Sequence, residues 1–430
     1  MNMISGIEVT REQSLASLDN LHETICRTLA SGELPLQRVV AACDELSGWL
    51  GEENCLPALL ALGVPERRAL AELAQAKAML SRDYIEARLM HEFHELPGPE
   101  SGFVPYGQSS GVTQAWKPLG VLLHIAAGNA DALPLLSVIE GLITGNINLL
   151  KLPGIDDGLT VPLLLRLIDI EPHIADYVYV YDFPSTDTDS LKKLARAAHA
   201  TVVWGGDAAV TAVRQAANPD TKIIEWGHKL SFAYVSGEAH DEALRGIAHN
   251  ICDTDQRYCS SCQGIYLDTE DMDEVYNFSE RFLRLLYDTA KSMERPLSLS
   301  LRAQKTLELY TEELESVSSS KRVYRCGDCS VIAYPDSHLQ PSYMFRNCWV
   351  KPLPREKLIS ALLPYKNRLQ TAALVCEESE RMPLETALLR SGVVRITGGH
   401  NMSAGYCGLP HDGEYPLPRY MKRVSIDYES

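Results

Sequence analysis

The chain is poor in positive charge. Its 40 Lys and Arg face 57 Asp and Glu, which leaves a formal net charge of −17 over 430 residues. Such a balance argues against nucleic acid as a partner and gives an anionic membrane nothing to hold. No apolar run approaches the ~20 residues of a membrane span. The first residues, Met1-Asn2-Met3-Ile4-Ser5-Gly6-Ile7-Glu8, lack the basic and apolar regions of a signal peptide. The eleven cysteines are odd in number and scattered, which does not make a disulfide framework. A reducing cytoplasm with free thiols is the expectation. Neither an internal repeat nor a low-complexity segment occurs. The strand and helix block described below also lacks Gly-x-Gly-x-x-Gly, which argues against an ordinary dinucleotide fingerprint.

What is present is an ordinary globular composition, 45% hydrophobic and 23% charged. The length implies two or three domains. Residues 11–95 are helical in pattern, with apolar positions three and four apart, as in Leu70-Ala71-Glu72-Leu73-Ala74. Pro97-Gly98-Pro99 breaks that pattern. Residues 103–119 suggest a hairpin or extended arm. A buried strand over 118–125 follows, ending in Ala126-Ala127-Gly128-Asn129.

Helical and apolar segments then alternate. Strands are expected at 147–151, 177–181, 201–204 and 222–225, with helices at 133–142, 159–167 and 190–198. Asp207 is expected to N-cap a helix starting at Ala208. This alternation predicts a doubly wound parallel sheet. A second alternating block has strands at 231–235, 265–267, 348–351, 371–375 and 393–396, with helices at 242–250 and 275–290.

Ligand loops of such sheets lie at the carboxyl ends of strands. Gly128-Asn129, Lys151, Gly205-Gly206 and Glu225 all fall at or just past such ends and are expected to share one edge as a nucleotide crevice. Each taken singly reads as a turn glycine or a solvated charge. In the second block Cys259 sits among small residues, Cys259-Ser260-Ser261-Cys262-Gln263, ahead of an apolar strand. A thiol that attacks a carbonyl needs such room and nearby N–H donors. The plainer alternative is a buried cysteine at a strand entrance. Cys259-x-x-Cys262 with Cys326-Gly327-Asp328-Cys329 could also be a four-thiolate zinc site, but the intervening segment far exceeds a ribbon's ~15–20 residues.

Pro118-Leu119-Gly120-Val121…Asn129…Gly145-Asn146…Lys151-Leu152-Pro153 resembles the cofactor-domain core of the aldehyde dehydrogenase superfamily. Ile224-Glu225-Trp226-Gly227-His228-Lys229 resembles that superfamily's general-base motif, and Gln256-Arg257-Tyr258-Cys259 its nucleophile motif. The 34-residue separation of Glu225 from Cys259 is also the usual one. Cys-Ser-Ser-x-Gln, Leu369-Gln370-Thr371 and His411-Asp412-Gly413 are similar to the LuxC-type fatty acyl-CoA reductases of bacterial luminescence clusters. The resemblance runs from about Pro118 to Glu429.

The resemblance implies an aldehyde-dehydrogenase-like α/β fold: two doubly wound parallel-sheet domains, an N-terminal helical layer and an oligomerisation arm. Its expected parts are a helical region over 1–100, a cofactor domain over 101–228 with the arm at 103–117, a catalytic domain over 229–400, and a segment over 401–430 that returns to the cofactor domain or arm. It implies Cys259 as nucleophile, Asn129 as oxyanion donor with the Cys259 N–H, and Glu225 as general base of a hydrolytic half-reaction. Lys151 would reach the adenine ribose, and Gly205 and Gly206 would pass close to the diphosphate, with Gly128 and Gly227 lining the cofactor. Gly154 stands where many members carry an acidic residue that binds a free 2′-hydroxyl, which favours NADPH, although Asp156 and Asp157 lie nearby. His411-Asp412-Gly413 would order the site's edge or form a plain turn.

The implied activity is reduction of an activated acyl group to an aldehyde. The donor would be acyl-CoA or an acyl-protein, with an acyl-activating synthetase as partner, and the enzyme a homo-oligomer. Aldehyde oxidation in the reverse direction, a cofactor-free cysteine acyltransferase or thioesterase, and a non-catalytic scaffold are the alternatives.

Overall fold

A computed structural model describes residues 1–61, 64, 66–94, 101–103, 112–126, 133–154, 158–293 and 297–426. The chain forms two compact units, Met1–Gly227 with Cys407–Ser430, and His228–Tyr406. Its strands are β1 (Asn2–Ile4), β2 (Ile7–Val9), β3 (Ser101–Phe103), β4 (Val112–Pro118), β5 (Val121–Ile125), β6 (Ile147–Lys151), β7 (Val178–Tyr181), β8 (Ala200–Trp204), β9 (Lys222–Trp226), β10 (Leu230–Val235), β11 (Cys262–Leu267), β12 (Arg322–Cys326), β13 (Cys329–Ala333), β14 (Asn347–Pro352), β15 (Leu369–Val375), β16 (Arg395–Thr397) and β17 (Met421–Ile426).

In the first unit the sheet order is β2-β1-β7-β6-β5-β8-β9. The five strands from β7 to β9 are parallel. Val121 to Leu123 and the whole of β6 are buried, as strands covered on both faces must be. From β5 the chain builds outward through β6 to β7, then returns to place β8 on the other side of β5. The order therefore reverses between β5 and β8. At such a point the connecting helices leave on opposite faces, and a crevice opens beyond the strand ends. The N-terminal helices join this unit's core: Val39, Cys43, Leu46 and Leu89 cluster with Leu135, Val138 and Leu149.

The β1–β2 hairpin pairs antiparallel with β7 and extends the sheet, which the helical pattern of the N-terminal region did not announce. Part of the expected arm is present as β4, paired antiparallel with β3 and β17. Residues 104–111 lie outside the described residues. One cap differs from expectation. Gly206 is the N-cap of the helix Asp207–Ala216, and Asp207 is its first residue, so its carboxylate sits in the first turn rather than at the cap.

The second unit's sheet runs β12-β13-β14-β11-β10-β15-β16. All neighbours are parallel except β12. The strand expected at 265–267 starts three residues earlier, at Cys262, and the one expected at 393–396 is Arg395–Thr397. The helix Leu299–Ser316 and the β12–β13 hairpin were not foreseen, because their polar and apolar residues do not follow a simple inward stripe.

Candidate active site

Gly205 and Gly206 lie at the carboxyl end of β8, at the reversal point, and lead into the helix Asp207–Ala216. The Gly205 N–H donates to the Trp226 carbonyl at 3.3 Å. A Cβ on Gly206 or Gly227 would meet nothing, so both backbones are open to close approach. Gly128 and Asn129, which follow β5, lie outside the described residues. Lys151 closes β6. Its ammonium donates to the Leu152 carbonyl at 2.8 Å, sits 5.6 Å from the centre of the Phe183 ring, and is held below its ordinary pKa by burial. Lys151 and Gly205-Gly206 thus fall along one edge, at the carboxyl ends of the parallel strands β6 and β8 that flank β5, with Glu225 near the same end of β9.

Glu225 lies inside β9 rather than beyond it. Arg214, on the helix Asp207–Ala216, donates Nε–H to its Oε1 at 2.7 Å and adds a second, shorter contact. His411-Asp412-Gly413 forms a turn. His411 and Glu414 exchange backbone hydrogen bonds around Asp412 and Gly413, which have φ of 51° and 84°. The His411 ring packs edge-on against Trp204 and Trp226, at the ends of β8 and β9.

Behind this edge runs a buried polar relay that the sequence did not reveal. Trp204 Nε1–H donates to Ser137 Oγ at 3.0 Å. Ser137 Oγ meets His124 Nδ1 at 2.7 Å, and His124 Nε2 meets Asn148 Oδ1 at 3.0 Å. Burial lowers the His124 pKa to about 4.

In the second unit Cys259 is an exposed thiol, outside any disulfide, in the turn between the helix Asp241–Thr254 and β11. It therefore stands at the amino edge of its sheet, where strands begin. Asp255 and Gln256, with φ of 48° and 61°, swing the chain out of the helix. Left-handed backbone is unfavourable for such residues, so neighbouring bonds must hold it.

Gln256 is buried. Its Nε2 donates to the carbonyls of Cys262 (3.0 Å) and Asn347 (2.7 Å), and its Oε1 accepts from Arg346 N–H at 3.1 Å. Gln263 Nε2 donates to the Gln256 carbonyl at 3.1 Å. Asn250 Oδ1 accepts from Cys262 N–H at 2.9 Å, while Ser260 and Asn250 both bond Ser403. Ser231, on β10, donates to the Cys259 carbonyl at 2.6 Å and accepts from Thr371 N–H at 3.0 Å. The turn around Cys259 is pinned from β10, β11 and β14 at once, and β15 holds Ser231 through Thr371. The Leu369-Gln370-Thr371 stretch is accordingly part of its frame.

Cys262 is fully buried on β11, and burial pushes its thiol up to about 12. Cys348 on β14 is raised well above the ordinary value for the same reason. Such thiols stay protonated at neutral pH and are poor nucleophiles. Among the described residues no group of three or more His, Cys, Asp or Glu is placed to hold a metal ion.

A family model described as Acyl-CoA reductase (LuxC) matches residues 34–423. The chain belongs to the LuxC family. A LuxC-family relative, the long-chain acyl-protein thioester reductase of Aliivibrio fischeri, is 25% identical over 322 residues, covering 72% of this chain and 64% of that protein. The chain thus spans less than two thirds of that relative's length. Among solved structures, a variant of apo betaine aldehyde dehydrogenase from Staphylococcus aureus superposes with a TM-score of 0.72 at 13% identity, over 99% of this chain and 91% of that one. A 3,6-anhydro-L-galactose dehydrogenase in complex with NAP gives 0.68 at 15% identity, over 99% and 95%. The LuxC-family chain has the aldehyde-dehydrogenase-like α/β fold. None of its described helices is long and apolar enough to cross a membrane.

Proposed function

We propose that the protein reduces an activated, fatty acyl group to an aldehyde with NADPH, through an acyl thioester on Cys259. One observation carries this reading: in a member of the LuxC family, the single cysteine of the Cys-Ser-Ser-x-Gln stretch that is exposed is also the one whose turn is pinned from three strands. The donor is acyl-CoA or an acyl-protein, the latter being what the Aliivibrio relative's name specifies. An acyl-activating synthetase would supply it.

The Cys259 thiolate adds to the donor's thioester carbonyl. The new S–C bond forms, the donor's C–S bond breaks, and the donor thiol leaves with a proton. A thioester is weakly resonance-stabilised, so its carbonyl accepts a hydride readily. When bound, the nicotinamide supplies that hydride. The resulting oxyanion is assigned to the Asn129 amide and the Cys259 N–H. Its collapse breaks the Cys259 S–C bond, releasing the aldehyde and restoring the thiolate.

For the cofactor, the open backbone at Gly206 and Gly227 fits the approach of a diphosphate, and Lys151, at the end of β6, fits a ribose contact. A Cβ at Gly154 would meet nothing, so the position has room for a carboxylate that this chain does not use. Asp182, at the end of β7, is paired to the Met1 amine at 2.9 Å, which mutes its repulsion of a 2′-phosphate.

The test offers a series of acyl-CoA and acyl-carrier-protein thioesters with NADPH or NADH, following loss of the reduced nicotinamide band and aldehyde formed. Thioester-dependent oxidation of NADPH, faster than of NADH, is expected, and Gly154→Glu should move the preference toward NADH. Equal use of both would assign ribose recognition to Asp182, Asp156 or Asp157. Turnover of free aldehyde alone would establish the oxidative direction, and thioester cleavage without cofactor an acyltransferase or thioesterase.

A further inference from the structure

The helix Leu299–Ser316 is inverted in polarity. Lys305, Leu309 and Glu312 are its buried residues, whereas Leu307 and Leu314 are 70% and 75% exposed. Buried charges need hydrogen-bond partners, and both of these find one in the same loop, 342–347, which leads into β14. Lys305 donates to the Phe345 carbonyl at 2.5 Å and to that of Asp328 at 2.6 Å. Glu312 accepts from Tyr343 OH at 2.5 Å and from Lys321 at 2.6 Å.

The loop they hold has unusual backbone. Met344, Phe345 and Arg346 have φ of 56°, 48° and 68°. Left-handed backbone is unfavourable for residues with a Cβ, which adopt it singly rather than in runs. Three in succession persist only where the surroundings hold them, and such segments gather at functional sites.

What this loop grips is the turn that carries Cys259. Phe345 N–H donates to the Asp255 carbonyl at 3.0 Å, and Arg346 N–H to Gln256 Oε1 at 3.1 Å. Gln256 returns a bond to the Asn347 carbonyl at 2.7 Å. Beyond Cys259, Ser342 N–H and Oγ–H both donate to Gln263 Oε1, at 3.0 and 2.9 Å. The turn is thus held on both sides of the thiol, at 255–256 and at 263. Asp255 and Gln256 are themselves left-handed, so two unfavourable stretches secure each other. Lys305 reaches this arrangement through Phe345, whose carbonyl it holds and whose N–H bonds Asp255.

We infer that Lys305 and Glu312 are positioning residues for Cys259, acting through the loop 342–347. The inference rests on the reading of Cys259 as acyl acceptor. Both side chains are buried, so their part is to fix the turn rather than to meet the donor. A nucleophile displaced by about 1 Å loses on the order of 100-fold in rate.

The test compares the full wild-type chain with Lys305→Met and with Tyr343→Phe. The second removes only a hydroxyl from a partly exposed side chain, and it carries the test if the first does not fold. Amide hydrogen exchange over 255–263 and 342–347 should quicken in both variants, with exchange in the first unit unchanged. In single turnover with an acyl-CoA, the saturating rate of adduct formation on Cys259 should fall roughly 10- to 100-fold for Lys305→Met. Tyr343→Phe should show a smaller loss, and the half-saturating donor concentration should stay the same in both. Unchanged exchange over 255–263 overturns the brace. Quickened exchange with acylation unaltered, or a loss confined to donor affinity, overturns the positioning role. A wild-type chain that forms no adduct at all fails the reading of Cys259 instead, and exchange still judges the brace.

Discussion

Cys259 and Cys262 are three residues apart and chemically opposite. The first is exposed on a pinned turn, whereas the second lies in the core with its thiol raised to about 12. Cys259→Ala is therefore expected to abolish both the acyl adduct and aldehyde formation, and Cys262→Ala to leave most activity. Intact-mass detection of the adduct decides it; an adduct that persists without Cys259, or disappears only without Cys262, reverses the roles. Glu225 raises a different question. If it activates water, it destroys the acyl-enzyme by hydrolysis before reduction. Its pairing with Arg214 should restrain that leak. Glu225→Gln is expected to keep most aldehyde formation while losing most thioester hydrolysis and any aldehyde oxidation. Arg214→Ala, which releases the carboxylate from that contact to turn toward water, should raise hydrolysis. Single-turnover rates separate the steps: acylation slowed as much as hydrolysis by Glu225→Gln would place the carboxylate in service of the nucleophile.

At the scale of the element, the turn from the helix Asp241–Thr254 into β11 is held by one side chain more than any other. Gln256 occupies left-handed backbone, which costs about 1–2 kcal/mol for a residue of its kind. Its amide answers two carbonyls and one N–H in buried surroundings. Gln256→Ala should relieve no strain and leave those groups unpaired, at about 1–3 kcal/mol for each. A fall in stability of at least ~2 kcal/mol is expected in denaturant unfolding, together with slower acylation of Cys259. Unchanged stability with slow acylation would instead make Gln256 a group that meets the substrate. The same strand tolerates little else. A Cβ on Gly264 would come within 1.9 Å of the Trp349 ring, so the β11–β14 register depends on a glycine there.

For the whole molecule, acidity acts through the relay behind the first sheet. His124 is neutral in the fold, with its pKa lowered from 6.5 to about 4 by burial. The unfolded chain binds a proton at this ring between those two values, while the folded chain does not. Stability from this group is full above the unfolded value and is lost as pH falls toward about 4, amounting to about 3 kcal/mol. Thermal melts between pH 7 and 4 should show that decline, and His124→Gln should flatten it while lowering the plateau. A slope unchanged in the variant would move the effect to other buried groups. The relay joins β5, β6, β8 and the helix Leu133–Ile143, so its protonation loosens the edge that carries Lys151 and Gly205.

The amino-acid sequence by itself determined the alternation of buried strands and helices, because burial on both faces leaves apolar runs such as Val121-Leu122-Leu123 and, broken only by Asn148, Ile147-Asn148-Leu149-Leu150. It also determined where those strands end, and hence the residues Lys151, Gly205 and Gly206, since glycine and charge interrupt such runs. Its motifs placed Cys259 in a family whose membership extends over residues 34–423. Only the tertiary structure decided strand order, the β1–β2 hairpin beside β7, the burial that separates Cys262 from Cys259, and the inverted helix Leu299–Ser316. It likewise decided that Gln256 is a clasp and that Arg214 holds Glu225. The reason is one of range. Periodicity reports which side of a segment is buried, whereas the partner of Gln256 is 91 residues away at Asn347 and that of Ser231 is 140 away at Thr371. Bonds of that reach exist only once the sheet has brought its strands together.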